Sequence, residues 1–303
     1  MTMKRLFAIL AVVAASGFAQ TADMQKRGLK ESDFPRLHKI VDNVYIYEMI
    51  RQPFQGEQFT TNNLIVVTSE GVLVADAQGS PADTARLVEE IKKLTSQPIR
   101  YVVLGSEQVD HVGGNASFPE GVTFISHPIA KTNLEKRANT PKATIPTEVV
   151  SDKRVLHLGG TEVQILDLGR AHIASDLVVY LPKEKVLFMS ESYLHRLFPV
   201  GRGGYPTEWI AALKKAEAMD VIYYEPAHGF IDEDPKTMKD GLIEFRKALE
   251  TVVAEAKRLH QPGVDPAEAF KQANLGPYAA WGAIPAQEPT FARAWAEIDG
   301  PLN

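Results

Sequence analysis

The chain has 303 residues, 45% hydrophobic and 23% charged, with a formal net charge of −5 and no cysteine. That mix excludes a disordered chain and suits one large domain or two fused half-domains. Mild acidity with no basic stripe argues against nucleic acid as a partner, and the missing thiols exclude disulfide staples and leave any metal to nitrogen and oxygen ligands.

In chain order, Lys4 and Arg5 precede a short apolar run, Leu6 to Ala15, and then small residues up to Ala19. This predicts a signal peptide over 1–19 and a periplasmic or secreted protein. The run is too short to span a bilayer comfortably, so no stable membrane insertion is expected after cleavage. Residues 20–37 read as a lead-in segment. Val41 to Tyr47, Asn62 to Val67 and Gly71 to Asp76 alternate or run apolar as strands, with Glu70-Gly71 in a turn. Ser80-Pro81 opens a helix to Leu94, whose Leu87, Ile91 and Leu94 recur at helical spacing. Pro98 to Leu104 is the next strand, and strand–helix–strand order argues for an α/β layering.

The order then repeats less tidily. Val122 to Ser126 reads as a strand and Ile129 to Arg137 as a helix. Arg154 to Leu158 and Glu162 to Asp167 are strands around Gly159-Gly160, a good hairpin turn. Leu177 to Leu181 and Val186 to Met189 flank the turn Pro182 to Lys185. A helix over Thr207 to Met219 leads to the strand Val221 to Tyr224. Beyond it come a long helix, Pro235 to Leu259, a second starting at Asp265-Pro266, and a tail whose Tyr278, Trp281, Phe291 and Trp295 read as a helical cap on the core. Two halves, roughly 38–150 and 151–240, suggest two packed sheets with helices outside, followed by a helical extension over 241–303.

Polar residues gather where apolar strands run out: GSEQVDHVGG at 105–114, GRAHIASD at 169–176, Ser190-Glu191, and EPAHG at 225–229. Loops at strand ends are where a rigid sheet fixes a site. Asp110, His111, His172, Glu191 and His228 are therefore the candidate constellation. Two carboxylates with neutral imidazoles suit one divalent ion, zinc first, with iron or manganese as the other candidates. Gly113-Gly114 leaves room for backbone to approach closely behind the site. Tyr193 and His195 are expected at a pocket entrance as substrate-binding residues.

These segments resemble the metallo-beta-lactamase fold family over most of residues 38–240. The resemblance implies an αββα sandwich, two packed mixed sheets with helices on both outer faces, and metal-dependent chemistry. The family's His-x-His-x-Asp-His motif aligns with Ser106, Glu107, Gln108, Val109, Asp110 and His111, so its second half is present and both leading histidines are replaced. His172, Glu191 (a glutamate in the bridging aspartate position) and His228 match the later motifs, and Asp76 matches an acid commonly near the site. The resemblance implies one ion, in the position served by Asp110, His111, Glu191 and His228, with His172 as a further ligand or a freed base. Asp110 and His172 are the expected catalytic residues. Neutral Ser106 and Gln108 are expected to hold a substrate oxygen or a water.

Three activities follow as expectations. The first is hydrolysis of an ester, lactone or amide bond in a small molecule. The second is a non-hydrolytic lyase or isomerase reaction. The third is ligand binding at a degenerate site without catalysis.

Overall fold

The computed structural model describes residues 24–50, 60–281 and 286–302; the predicted signal peptide lies outside them. A seven-stranded sheet runs in sequence order: β1 (Arg36–Val41), β2 (Val44–Ile50), β3 (Thr60–Thr68), β4 (Gly71–Ala75), β5 (Ile99–Val103), β6 (Thr123–Ser126) and β7 (Glu148–Val149). β1 to β4 pair antiparallel, each with the next in sequence. From β4 onward the pairs are parallel. Parallel neighbours need a crossover, here supplied by α1 (Pro81–Leu94), the short α2 (Val109–Val112) and α3 (Pro128–Lys136).

The second sheet contains β8 (Lys153–Leu158), β9 (Thr161–Leu166), β10 (Val178–Leu181), β11 (Val186–Phe188) and β12 (Tyr223–Glu225), ordered β12-β11-β10-β9-β8. Only the β11–β12 pair is parallel, and α4 (Pro206–Glu217) makes that crossover. The sheets pack as an αββα sandwich.

Alternation along the strands sorts the core. Ile46, Leu64, Leu73 and Val103 join Val163, Ile165, Val179 and Leu187 in a cluster that continues to Trp209 of α4. Their neighbours Tyr47, Ile65, Val72, Val74 and Val102 face the other way, onto Leu87 and Ile91 of α1. β3 and β4 are buried on both faces, which is why they read as continuous apolar runs. Each fully buried Leu or Ile contributes about 2 kcal/mol.

Two sequence expectations shift. The predicted strand Val41 to Tyr47 is split by a turn at Asp42-Asn43, with Asn43 at φ 64 and Val41 paired with Val44. An Asp-Asn pair accepts the left-handed conformation that a two-residue hairpin needs, and the flanking alternation hides it. The division at 240/241 falls inside α5 (Pro235–Leu259), which runs unbroken. Asp234 caps it, accepting from the Lys236 and Thr237 amides at 3.1 and 3.2 Å. Its buried Met238, Leu242, Phe245, Leu249, Val252 and Ala256 recur at helical spacing. α6 (Pro266–Phe270) and α7 (Gln287–Asp299) follow it, and Phe291, Trp295, Tyr278 and Trp281 pack with Ala248 and Val252 of α5.

Candidate metal centre

The loops leaving β4, β5, β9, β11 and β12 converge. Asp110 and His111 lie on α2, just beyond β5. Glu191 sits in a single 3-10 turn after β11, and His228 follows β12 by three residues. Asp110, His111, Glu191 and His228 are all buried, and each offers one ligand atom to a group lying within 4.8 Å of one another. Glu191 Oε1 is 2.7 Å from His111 Nε2 and 2.9 Å from His228 Nε2. Asp110 Oδ2 is 3.2 Å from His228 Nε2 and 3.7 Å from His111 Nε2. Zinc–ligand distances of about 2.0–2.1 Å place tetrahedral ligand atoms about 3.3 Å apart, so the four donors bracket the spacing required. Two carboxylates also balance a divalent charge.

The outward nitrogen of each imidazole is fixed. His228 Nδ1 donates to the Thr60 carbonyl at 2.7 Å, which turns Nε2 inward. His111 Nδ1 meets Asp76 Oδ2 at 3.1 Å; Asp76 also accepts from Ser190 Oγ at 2.6 Å and from the Gly105 amide at 2.7 Å. Such partners fix tautomer and ring angle in metal sites. Burial disfavours charge on every one of these groups, yet the paired charges win. Glu191 and Asp110 raise His228 to about 9, and Asp76 and Asp110 raise His111 well above the ordinary histidine range. The neighbouring imidazoles hold Asp110 and Glu191 well below the ordinary carboxylate range. In the metal-free chain the imidazoles thus hold protons that a cation must displace.

The remaining expected residues fall in three places. His172 lies beside the four-donor cluster, 3.8 Å from Glu191 Oε2, so the structure groups four donors where five were expected. Its Nε2 meets Gln108 Nε2 at 2.9 Å, its Nδ1 is buried without a partner, and its ring stands edge-on to Trp209. Gln108 is half-buried and reachable. Ser106 is buried, and its Oγ accepts the Gln108 amide at 3.2 Å, which shapes the loop. Tyr193 and His195 are corrected outright: both lie in the interior against α5, not on a rim. The Tyr193 hydroxyl donates to the Met238 carbonyl at 2.9 Å and also meets His195 Nδ1, while His195 Nε2 meets Asp232 at 2.9 Å.

Sequence reasoning missed the brace under the site. Asn62 Nδ2 donates to the carbonyls of Pro226 and Gly229, at 3.1 and 2.9 Å, on either side of His228. Asn63 Nδ2 does the same for Asp76 and Ala77, at 2.9 and 3.0 Å. The available signal was an Asn-Asn pair inside an apolar strand, since buried amides are kept where backbone needs donors. Glu107 turns away from the cluster to Asn133 and Ser175 and ties its loop to α3.

No family model matches the chain. It is 30% identical over 216 residues to metallo-beta-lactamase IND-1 of Chryseobacterium indologenes, across 71% of this chain and 80% of that protein. The chain belongs to the metallo-beta-lactamase family. A type 2 metallo-beta-lactamase of Elizabethkingia meningoseptica is 27% identical over 52% of this chain and 62% of its own length. Among solved structures, a metallo-beta-lactamase from Pontibacter korlensis superposes with a TM-score of 0.61 at 22% identity, covering 70% of this chain and 98% of that one. The DIM-1 metallo-beta-lactamase gives 0.60 at 19%, covering 71% and 97%. Within this metallo-beta-lactamase fold the metal-binding cluster is an Asp-His-Glu-His set.

Proposed function

We propose that the protein is an exported hydrolase that uses one divalent ion, zinc in the first instance, to cleave an ester, lactone or amide bond in a small molecule. The observation that carries this reading is the convergence of two carboxylates and two imidazoles on one buried point, beside a Gln108–His172 contact. The basic and apolar leader supports export.

A divalent ion held by Asp110, His111, Glu191 and His228 would supply Lewis acidity and activation of water. The chain supplies the rest. Asp76 and the Thr60 carbonyl keep both ligand rings aimed. His172 stands close enough to Glu191 to take or return a proton at the edge of the cluster. The Gln108 amide is placed to bond a substrate oxygen as charge builds on it. The same contact also suits a proton-moving lyase or isomerase, which would leave no oxygen from solvent water in its product.

Elemental analysis of the chain purified without chelator is expected to find about one equivalent of metal, and Asp110→Asn is expected to abolish turnover on a panel of esters, lactones and amides that includes a β-lactam. No uptake of zinc, iron or manganese would refute the reading.

A further inference from the structure

A cavity of about 360 Å³ opens where the edge strands β1 and β12 meet the start of α5, and it shares no lining residue with the metal-ligand cluster. Glu225, the last residue of β12, lines it. The residue is 2% exposed and its Oε2 has no hydrogen-bond partner. A buried carboxyl in that state forgoes a hydrogen bond that folded proteins seldom leave unmade.

The nearby cations are all committed elsewhere. Arg36 Nε and His38 Nε2 both go to Glu48 Oε2, at 2.7 and 2.8 Å, and the Ile231 amide fills Glu48 Oε1 at 3.0 Å. Arg27, Arg196 and His195 face Asp232. Lys39 is held outward by Asp42 at 2.8 Å. Burial, followed by the charge of Glu48, pushes Glu225 up to about 8.

The rest of the lining narrows the ligand. Glu233 adds acid, and Asp232 occupies the cations on its side of the cavity, which disfavours an anion. Leu37, Ile40, Ile231 and Met238 supply apolar wall. Among the described residues these acids do not form a group close enough to share a metal ion, so an organic cation fits better than a metal. The volume lies toward the small end of the ligand-pocket range of about 300–1,000 Å³.

We propose that this cavity binds a small primary ammonium ion with a short aliphatic body, its nitrogen held by Glu225 and its chain lying on Leu37, Ile40 and Met238. The proposal is independent of the reaction performed at the metal centre.

Calorimetric titration of the full chain with n-butylammonium at about pH 9, where Glu225 is ionised and the amine is still a cation, tests it, with n-butanol and n-butyrate as the neutral and charge-reversed analogues. One saturable site is expected for the amine, with both analogues at least about tenfold weaker, because a charge-assisted hydrogen bond is worth that factor or more. Glu225→Gln is expected to weaken the amine by about tenfold or more while leaving metal content unchanged. Leu37→Trp, at a partly exposed position, fills the mouth and is expected to block binding with Glu225 left in place. Butanol binding as tightly as the amine, an undiminished affinity in Leu37→Trp or in a folded Glu225→Gln, or no binding at all would overturn the proposal.

Discussion

Replacing Glu225 by Gln should make the protein more stable, and increasingly so as pH rises. The folded chain holds the Glu225 proton up to about pH 8, against a reference value of 4.5. Between those values the native state binds a proton that the unfolded state has released, so stability falls with rising pH. The contribution is whole below the unfolded value and is lost through the folded one. Each pH unit in that window costs about 1.4 kcal/mol, which gives about 3 kcal/mol at pH 7 and about 5 kcal/mol above pH 8. The titratable and charged groups around Glu225 include Glu48 on β2, Arg36, His38 and Lys39 on β1, Tyr193 after the 3-10 turn, and Asp232 and Glu233 before α5. Arg36 and His38 are already spent on Glu48, so none of these is expected to cancel the slope. Gln keeps the shape and removes the titration. Urea unfolding with chelator present, at about pH 5, 7 and 9, should show the two proteins nearly level at the acid end and the variant ahead by a widening margin. Parallel stability curves would refute the reasoning, because they would mean that Glu225 is ionised or partnered in the folded chain.

Three further outcomes are expected. His172→Ala should lower turnover by about 100-fold, as loss of a general base does, while the metal stoichiometry stays unchanged; loss of the ion in the same variant would make His172 a ligand. Asn62→Ala removes two donors from the His228 loop and should cost about 2 kcal/mol in urea unfolding together with about tenfold in metal affinity. Gly114→Ala would drive a Cβ into Thr84 Oγ1 and the Ser80 carbonyl, so a loss of about 1–3 kcal/mol in thermal unfolding is expected.

Much of the layering was legible because local rules and the global fold agree. Pro235 to Leu259 is expected as one long helix and folds with those bounds, and the structure adds its Asp234 cap and the helical spacing of its buried residues. The four metal donors were legible because each follows an apolar strand, and strand ends are brought together by the sheets. Other features depend on contacts that no spacing records. Tyr193 and His195 follow Glu191 closely, which suggested a shared pocket. The chain turns inward after the 3-10 turn instead, and both rings meet α5. The pairing of His195 with Asp232 spans 37 positions and depends on where α5 begins. Glu225 looked like part of a motif leading to His228, yet its surroundings are set by β1 and Glu48, far away in sequence.

The continuity of α5 bears on how the chain can be shortened. At 25 residues and about 1.5 Å per residue it is a rod about 37 Å long. One end lies over Tyr193 and His195, so closely that Gly241 has no space for a Cβ beside the His195 ring; the other is clasped by α7. The His195 amide in turn donates to the His228 carbonyl at 2.8 Å. Trimming the tail at residue 240 would therefore cut a beam that spans from the C-terminal aromatics to the backbone of a metal ligand, and a minimal metal-binding fragment has to keep that beam whole.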